Sequence, residues 1–155
     1  MQTAAAPPQP NAARRRWMAV LARASAADLA ALLDRHAVMP GYTKIRGPEA
    51  GLVMVRGRTG GGGAPFNLGE MTVTRCTVRT ESGEVGHAYV AGRDARQAEL
   101  AAVLDAMLQD PRQAFALQAN VIGPLAEAQR AQRAGVAEKA AATKVQFFAM
   151  RNMRA

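Results

Sequence analysis

The segment from Leu68 to Gly92 constrains the fold more than any other part of the chain. It reads LGEMTVTRCTVRT, then ESG, then EVGHAYVAG. Two runs rich in β-forming residues around the compact turn Glu81-Ser82-Gly83 specify a β-hairpin. Upstream, Tyr42 to Arg46 and Gly51 to Arg58 are predicted as two shorter strands, with Thr59 to Pro65 (TGGGGAP) as a loop. The centre of the chain is therefore an antiparallel sheet of three to four strands.

The pattern changes period on both sides of that sheet. Trp17, Val20, Leu21 and Ala24 recur at helical spacing. Ser25 with Asp28 three residues later forms a capping box ahead of a second helix, whose Leu29, Leu32, Leu33 and His36 share one face. Pro40-Gly41 stops that helix. After Gly92-Arg93-Asp94 a third helix carries the apolar stripe Leu100, Val103, Leu104, Met107 and Leu108 and ends at Asp110-Pro111. A short helix over 112–120 follows, then a long alanine-rich one from Pro124 to about Thr143, and 144–150 (KVQFFAM) reads as a last strand. Helices flanking a central meander give an α+β fold. Residues 1–13, rich in proline and alanine, read as a disordered tail, 14–150 as one domain, and 151–155 as a basic tail.

Composition sharpens the functional question. The chain has 155 residues and is 49% hydrophobic, but alanine supplies 35 of those positions and the larger apolar types only 41. Burial stabilises in proportion to apolar area, so such a core is thin for its length and the chain is expected to lean on partners. Net charge is +8, with 17 arginines against 3 lysines. That balance suits fixed forks for phosphate or carboxylate and points to anionic partners. No apolar run is long enough for a membrane span, and the N-terminal basic cluster follows rather than precedes the apolar letters, unlike a secretory leader. A single cysteine, Cys76, suits a reducing cytoplasm and excludes an internal disulfide framework. One cysteine and two separated histidines offer no zinc spacing, so no metal is expected.

Two features stand out as candidate sites. Gly60-Gly61-Gly62-Gly63 follows Arg56 and Arg58, and backbone N–H groups beside arginine forks can cradle phosphate. The run continues into Ala64-Pro65-Phe66 and a strand, which is not the Gly-Lys-Ser/Thr and helix of a P-loop. A surface loop, a phosphate loop and a loop ordered by a partner all remain open. The second feature is Arg75, which alternation places with Met71, Val73, Thr77 and Arg79 on one strand face. An arginine there is solvated at a rim or pairs with a carboxylate, for which Glu49, Glu70 and an acid on another chain are the candidates. His87, with Val85 and Tyr89 on its face, reads as a packed or surface residue rather than a catalyst. No catalytic set is identified. From Arg130 to Ala155 six basic residues meet one acid, which leaves nucleic-acid binding open, although no aromatic RNA-binding strand supports it.

Taken together, residues 49–94 resemble a known family. Glu49, Gly51 to Val53, Arg58, the glycine run, Phe66 to Glu70, Thr74-Arg75, Val78, Gly83, Gly86, Tyr89 and Gly92 to Asp94 carry the likeness. That pattern resembles the G subunit of the bacterial carbon–phosphorus lyase system, and the layout of Trp17 and Val145-Gln146-Phe147-Phe148 agrees with it. The resemblance implies a subunit that joins subunits H, I and J, with an ATPase-like subunit L, in a cytoplasmic complex. That complex displaces adenine from ATP with an alkylphosphonate; ATP and alkylphosphonate are its substrates. Subunit I is implied to carry the nucleosidase chemistry, and this chain is expected to bind no cofactor directly. Arg56, Arg58, Gly60 to Gly63 and Arg75 are then candidates for a phosphate-binding or subunit interface, with Glu49, Phe66, Glu70, Arg79 and His87 as further interface candidates. A nucleic-acid-binding protein without enzymatic role is the competing reading.

Overall fold

The structure, a computed structural model, describes residues 11–58 and 63–144. Helices α1 (Ala12–Leu21) and α2 (Ala26–His36) lead into strands β1 (Tyr42–Gly57), β2 (Phe66–Thr80) and β3 (Val85–Ala91). Helices α3 (Ala95–Met107), α4 (Pro111–Leu117) and α5 (Gly123–Ala142) follow, with one π-helical turn, Gln118–Ile122, joining the last two. The strands form an antiparallel meander in the order β1-β2-β3. The described part is thus the expected α+β layout with three strands.

Local chemistry sets the element ends. Ser25 caps α2, its hydroxyl accepting from the Asp28 amide at 3.1 Å, and Asp94 caps α3 by accepting from the Gln97 amide at 2.9 Å. Asp110 does the same for α4 through the Arg112 amide at 3.0 Å, with Pro111 at the first helical position, where its missing N–H costs nothing. The π turn lies immediately before Gly123-Pro124, so one more residue is accommodated where proline interrupts the hydrogen-bond ladder. The separate helices expected over 112–120 and from Pro124 are therefore one nearly continuous helical run. Turn residue Gly83 has φ +104°, a conformation that favours glycine.

Two expectations need correction. The strands expected at 42–46 and 51–58 are a single long β1, because the intervening Gly47-Pro48 is absorbed as register irregularities between Lys44 and Glu49. β1 is an edge strand, where a proline without an N–H is tolerated. In α2, Leu29 and Leu33 are buried, and His36 is the last helical residue, exposed at the C-terminal end of the helix dipole. Helix α1 begins at Ala12, within the segment read as a tail. The remainder of that tail, the strand expected at 144–150 beyond Lys144, and residues 151–155 lie outside the described residues.

The core lies between α3 and the inner face of β2 and β3. Ala98, Ala101, Ala102, Val103, Leu104, Ala106 and Met107 of α3 meet Cys76, Val78, Ala88 and Val90 of the sheet. Small residues let the layers approach closely. A Cβ at Gly86 would collide with the Ala102 carbonyl and stand 2.6 Å from the Ala106 nitrogen. Leu21, Leu29, Leu33, Leu117 and Val121 close the other side of α3. The second half of α5 contributes nothing to this core: Leu125 is its buried residue, and Val136 is 63% exposed.

Candidate functional site

Asp105 shows how the sheet is finished on one edge. It is fully buried on α3, yet its carboxylate accepts from Arg14 Nε and Nη2 at 3.1 and 2.7 Å. It also accepts from Trp17 Nε1 at 2.8 Å and from the backbone N–H of His87 at 2.9 Å. Arg14 Nη2 and Gln109 Nε2 donate to the Val85 carbonyl at 3.2 and 2.8 Å. Side chains of Arg14, Asp105 and Gln109 thus satisfy the Val85 carbonyl and the His87 amide of β3, which blocks further strand pairing at that end.

The opposite, open face of the sheet carries the charged cluster. Register places Glu49 of β1 opposite Arg75 of β2, and Arg75 opposite Tyr89 of β3. Arg75 Nε donates to Glu49 Oε1 at 2.7 Å, and Arg46 Nε donates to the same oxygen at 2.5 Å. Hydrogen bonds from Arg46 and then Arg75 hold the Glu49 carboxyl below the usual range. The Tyr89 hydroxyl and then Glu49 push the Arg75 guanidinium up. One carboxylate here counters two guanidiniums, so the cluster keeps a positive surplus. Beside it, Thr77 Oγ1 and His87 Nδ1 lie 3.0 Å apart, while Arg79 is exposed farther along β2.

Among the acids considered for Arg75, geometry selects Glu49; Glu70 instead faces Met54 across the ribbon. Arg56, Arg58, Gly63, Phe66 and Glu70 belong to the far end of the β1–β2 hairpin. Phe66 and Arg75 are nine residue steps apart along β2, roughly 30 Å at strand rise. The two candidate groups are therefore separate patches. Arg56 Nη2 donates to the Pro65 carbonyl across the hairpin end at 3.4 Å. Gly60 to Gly62 lie outside the described residues, and Gly63 has φ +109°.

That far end is itself unusual. β3 pairs with β2 only from Val73 to Arg79, so beyond Val73 the sheet continues as two strands alone. There Leu52, Met54, Phe66 and Leu68 are 63%, 52%, 47% and 51% exposed. Fully burying such side chains is worth roughly 1.5–3 kcal/mol each, a gain the free chain leaves largely unrealised. Of this patch the sequence reading named only Phe66, as an interface candidate. Its signal was the run Gly51 to Val55, apolar on both strand faces in a chain with few large apolar residues. Asp105 was likewise missed, although it is a lone carboxylate within the apolar run AAVLDAML. A further contact ties β1 to α3: Tyr42 and Lys44 both reach Glu99, at 2.7 and 2.9 Å. Burial and the Glu99 carboxylate push the Tyr42 phenol up to about 12.

Residues 12–152 match the family described as "Phosphonate metabolism protein PhnG". The chain belongs to the PhnG family. It is 46% identical over 139 residues to "Alpha-D-ribose 1-methylphosphonate 5-triphosphate synthase subunit PhnG" of Rhizobium meliloti (strain 1021), covering 90% of this chain and 88% of that protein. The family match runs through the whole described fold, from the first residue of α1 to beyond α5. For this PhnG-family chain, no described helix is long and apolar enough to cross a membrane.

Proposed function

We propose that this chain is a required subunit of a cytoplasmic synthase complex that displaces adenine from ATP with an alkylphosphonate. The observation that carries this reading is the 46% identity, over nine-tenths of the chain, to a relative named as a subunit of such a synthase. In the reaction the bond between ribose C1′ and adenine N9 breaks, a phosphonate oxygen bonds to C1′, and adenine leaves with the proton. The products are the ribose 1-alkylphosphonate 5-triphosphate and adenine.

The nucleosidase step belongs to another subunit, I, with H, J and the ATPase-like L as the remaining partners. ATP and alkylphosphonate are substrates of the complex, and this chain holds no cofactor itself. Its own part is docking and charge. The surplus cation of the Arg46–Glu49–Arg75 cluster suits an acid of the catalytic subunit or a phosphate oxygen presented there. Arg56 and Arg58 lie at the other end of the same hairpin and, with the glycine run that follows them in sequence, reach the same partner.

The test is adenine release from ATP plus methylphosphonate by the purified partner subunits, with and without this chain. Adenine and ribose-phosphonate triphosphate formed only in its presence support the required subunit. Equal product without it overturns that role and returns the basic surface to the nucleic-acid reading.

A further inference from the structure

Backbone groups along a strand alternate sides, and at β3 the phase of that alternation is fixed by one bond. The Gly92 amide donates to the Thr72 carbonyl at 2.9 Å, so Gly86, Ala88 and Val90 turn theirs toward β2 as well. Val85, His87, Tyr89 and Ala91 therefore turn their backbone groups away from the sheet. Asp105 and Arg14 occupy one end of this edge, through the His87 amide and the Val85 carbonyl. From the His87 carbonyl through Tyr89 to the Ala91 amide, no hydrogen bond is made among the described residues. All three residues are exposed.

That unpaired stretch, roughly 13 Å at strand rise, runs beside α1. A hollow lies between them, walled by Met18 and Ala22 of α1 and by His87 and Tyr89 of β3, with Leu21 and Ala101 also lining it. Arg15, Met18 and Ala22 share one face of α1 by their spacing, so an exposed arginine flanks the same groove. Helix α1 carries three arginines and no acid. The other sheet edge differs: the register of β1 breaks around Gly47-Pro48, a feature that discourages strand addition.

We propose that the groove between α1 and the Tyr89 end of β3 takes an extended, acid-bearing segment of a partner subunit of the synthase complex as a fourth strand. This rests on the subunit reading above. The backbone argues for a strand: outward N–H and C=O groups at two-residue spacing are matched by another extended chain, whereas a helix has already used its own. Alternate side chains of the incoming strand enter the hollow, where Ala22 and Ala101 leave room. Charge selects the source. Residues 144–155 of this chain, read as a strand over 144–150, carry Lys144, Arg151 and Arg154 and no acid. A second copy's tail would therefore set cations against Arg15, while an acid of another subunit pairs with it.

The test uses the full-length chain and its cognate partner subunits. Tyr89→Pro removes the outward N–H at an edge position that tolerates proline; Tyr89→Ala keeps that N–H and removes only the side chain. Thermal melts check that both fold. Kd for assembly is expected to weaken about tenfold in Tyr89→Pro and in Arg15→Glu, with Tyr89→Ala close to wild type. Residue-resolved hydrogen exchange of the wild-type chain gives a second reading. The Tyr89 and Ala91 amides should exchange fast in the free chain and about tenfold slower or more in the complex, with Ala88 and Val90 protected in both. Should Tyr89→Pro fail to fold, this alternation decides alone.

Assembly that leaves the Tyr89 and Ala91 amides fast overturns the strand seat and leaves the subunit reading intact. Equal losses in the two Tyr89 variants make the contact one of the side chain and overturn it as well. Slowed exchange of those amides in the chain alone as its concentration rises, abolished by Phe147→Asp, assigns the edge to a second copy instead. Failure of the wild-type chain to assemble with any subunit removes the subunit reading and this inference with it.

Discussion

Asp105 ties α3 to both α1 and β3. Its two oxygens bind a guanidinium and an indole from α1 and a backbone amide from β3. Asp105→Ala leaves the Arg14 cation and the other donors facing a carboxylate-free interior. Breaking such a pair costs about 3 kcal/mol, the low end for buried pairs because Arg14 is partly solvated. Urea unfolding of the variant measures it. Arg75 behaves differently, since it and Glu49 are both about two-fifths exposed on the open face. Arg75→Glu sets two carboxylates against each other on a solvated face, where charge contacts contribute little to stability. Its effect belongs to assembly: co-elution with the partner subunits is lost while the melting curve stays in place. A variant that assembles and supports turnover normally removes Arg75 from the interface.

At the scale of elements, α3 and its seat are the most constrained part. Gly86→Ala pushes a methyl group into the Ala102 carbonyl and the Ala106 amide. Backbone cannot step aside as a side chain can, so the helix must lift, at about 3 kcal/mol by chemical denaturation. The cap of α4 gives a pH prediction. Hydrogen bonds from the Arg112 side chain and then its amide lower the Asp110 carboxyl to about 2. A depressed carboxyl pKa stabilises the folded state above its unfolded value near 3.8, and that contribution is lost as pH falls through about 2. The Arg112 amide resonance should therefore shift with a midpoint near pH 2, and a midpoint near 4 would show the cap is not formed in solution.

These elements also show what the sequence made legible. The stripe Leu100, Val103, Leu104, Met107 and Leu108, the Ser25 cap and the turn at Gly83 are local patterns, and each appears in the structure. The unity of β1 was hidden because Gly47-Pro48 reads as a break until an edge position explains it. Glu49 could be named beside Arg75, but choosing it over Glu70 required a register set by those same irregularities. Asp105 was out of reach for a different reason: Arg14 and Trp17 lie 91 and 88 positions away, and no local pattern couples them.

For the whole molecule, the deciding facts are a small core and a large cationic surface. Alanine fills much of the interface between α3 and the sheet, while the apolar side chains of the ribbon and most of α5 face outward. Among the described residues the outer half of α5 is exposed and contributes no buried side chain, so its amides should exchange far faster than those of α3 in the free chain. Charge should govern how the chain finds its partners. With +8 on the chain, association with the partner subunits should slow about tenfold as salt rises from about 50 to about 500 mM. Stopped-flow mixing reads that rate, and a salt-independent rate would place the cations away from the encounter surface.

The clasp on Asp105 has a practical side. Trp17 is the sole tryptophan, and its indole N–H is tied to that buried carboxylate while its ring borders the groove formed with Val20, Gln118 and Ile122. Every photon of tryptophan emission therefore comes from the joint where α1 meets α3 and β3. A red shift that precedes the loss of helical circular dichroism would time the peeling of α1 from the body. The chain carries its own optical gauge for that single step, with no label added.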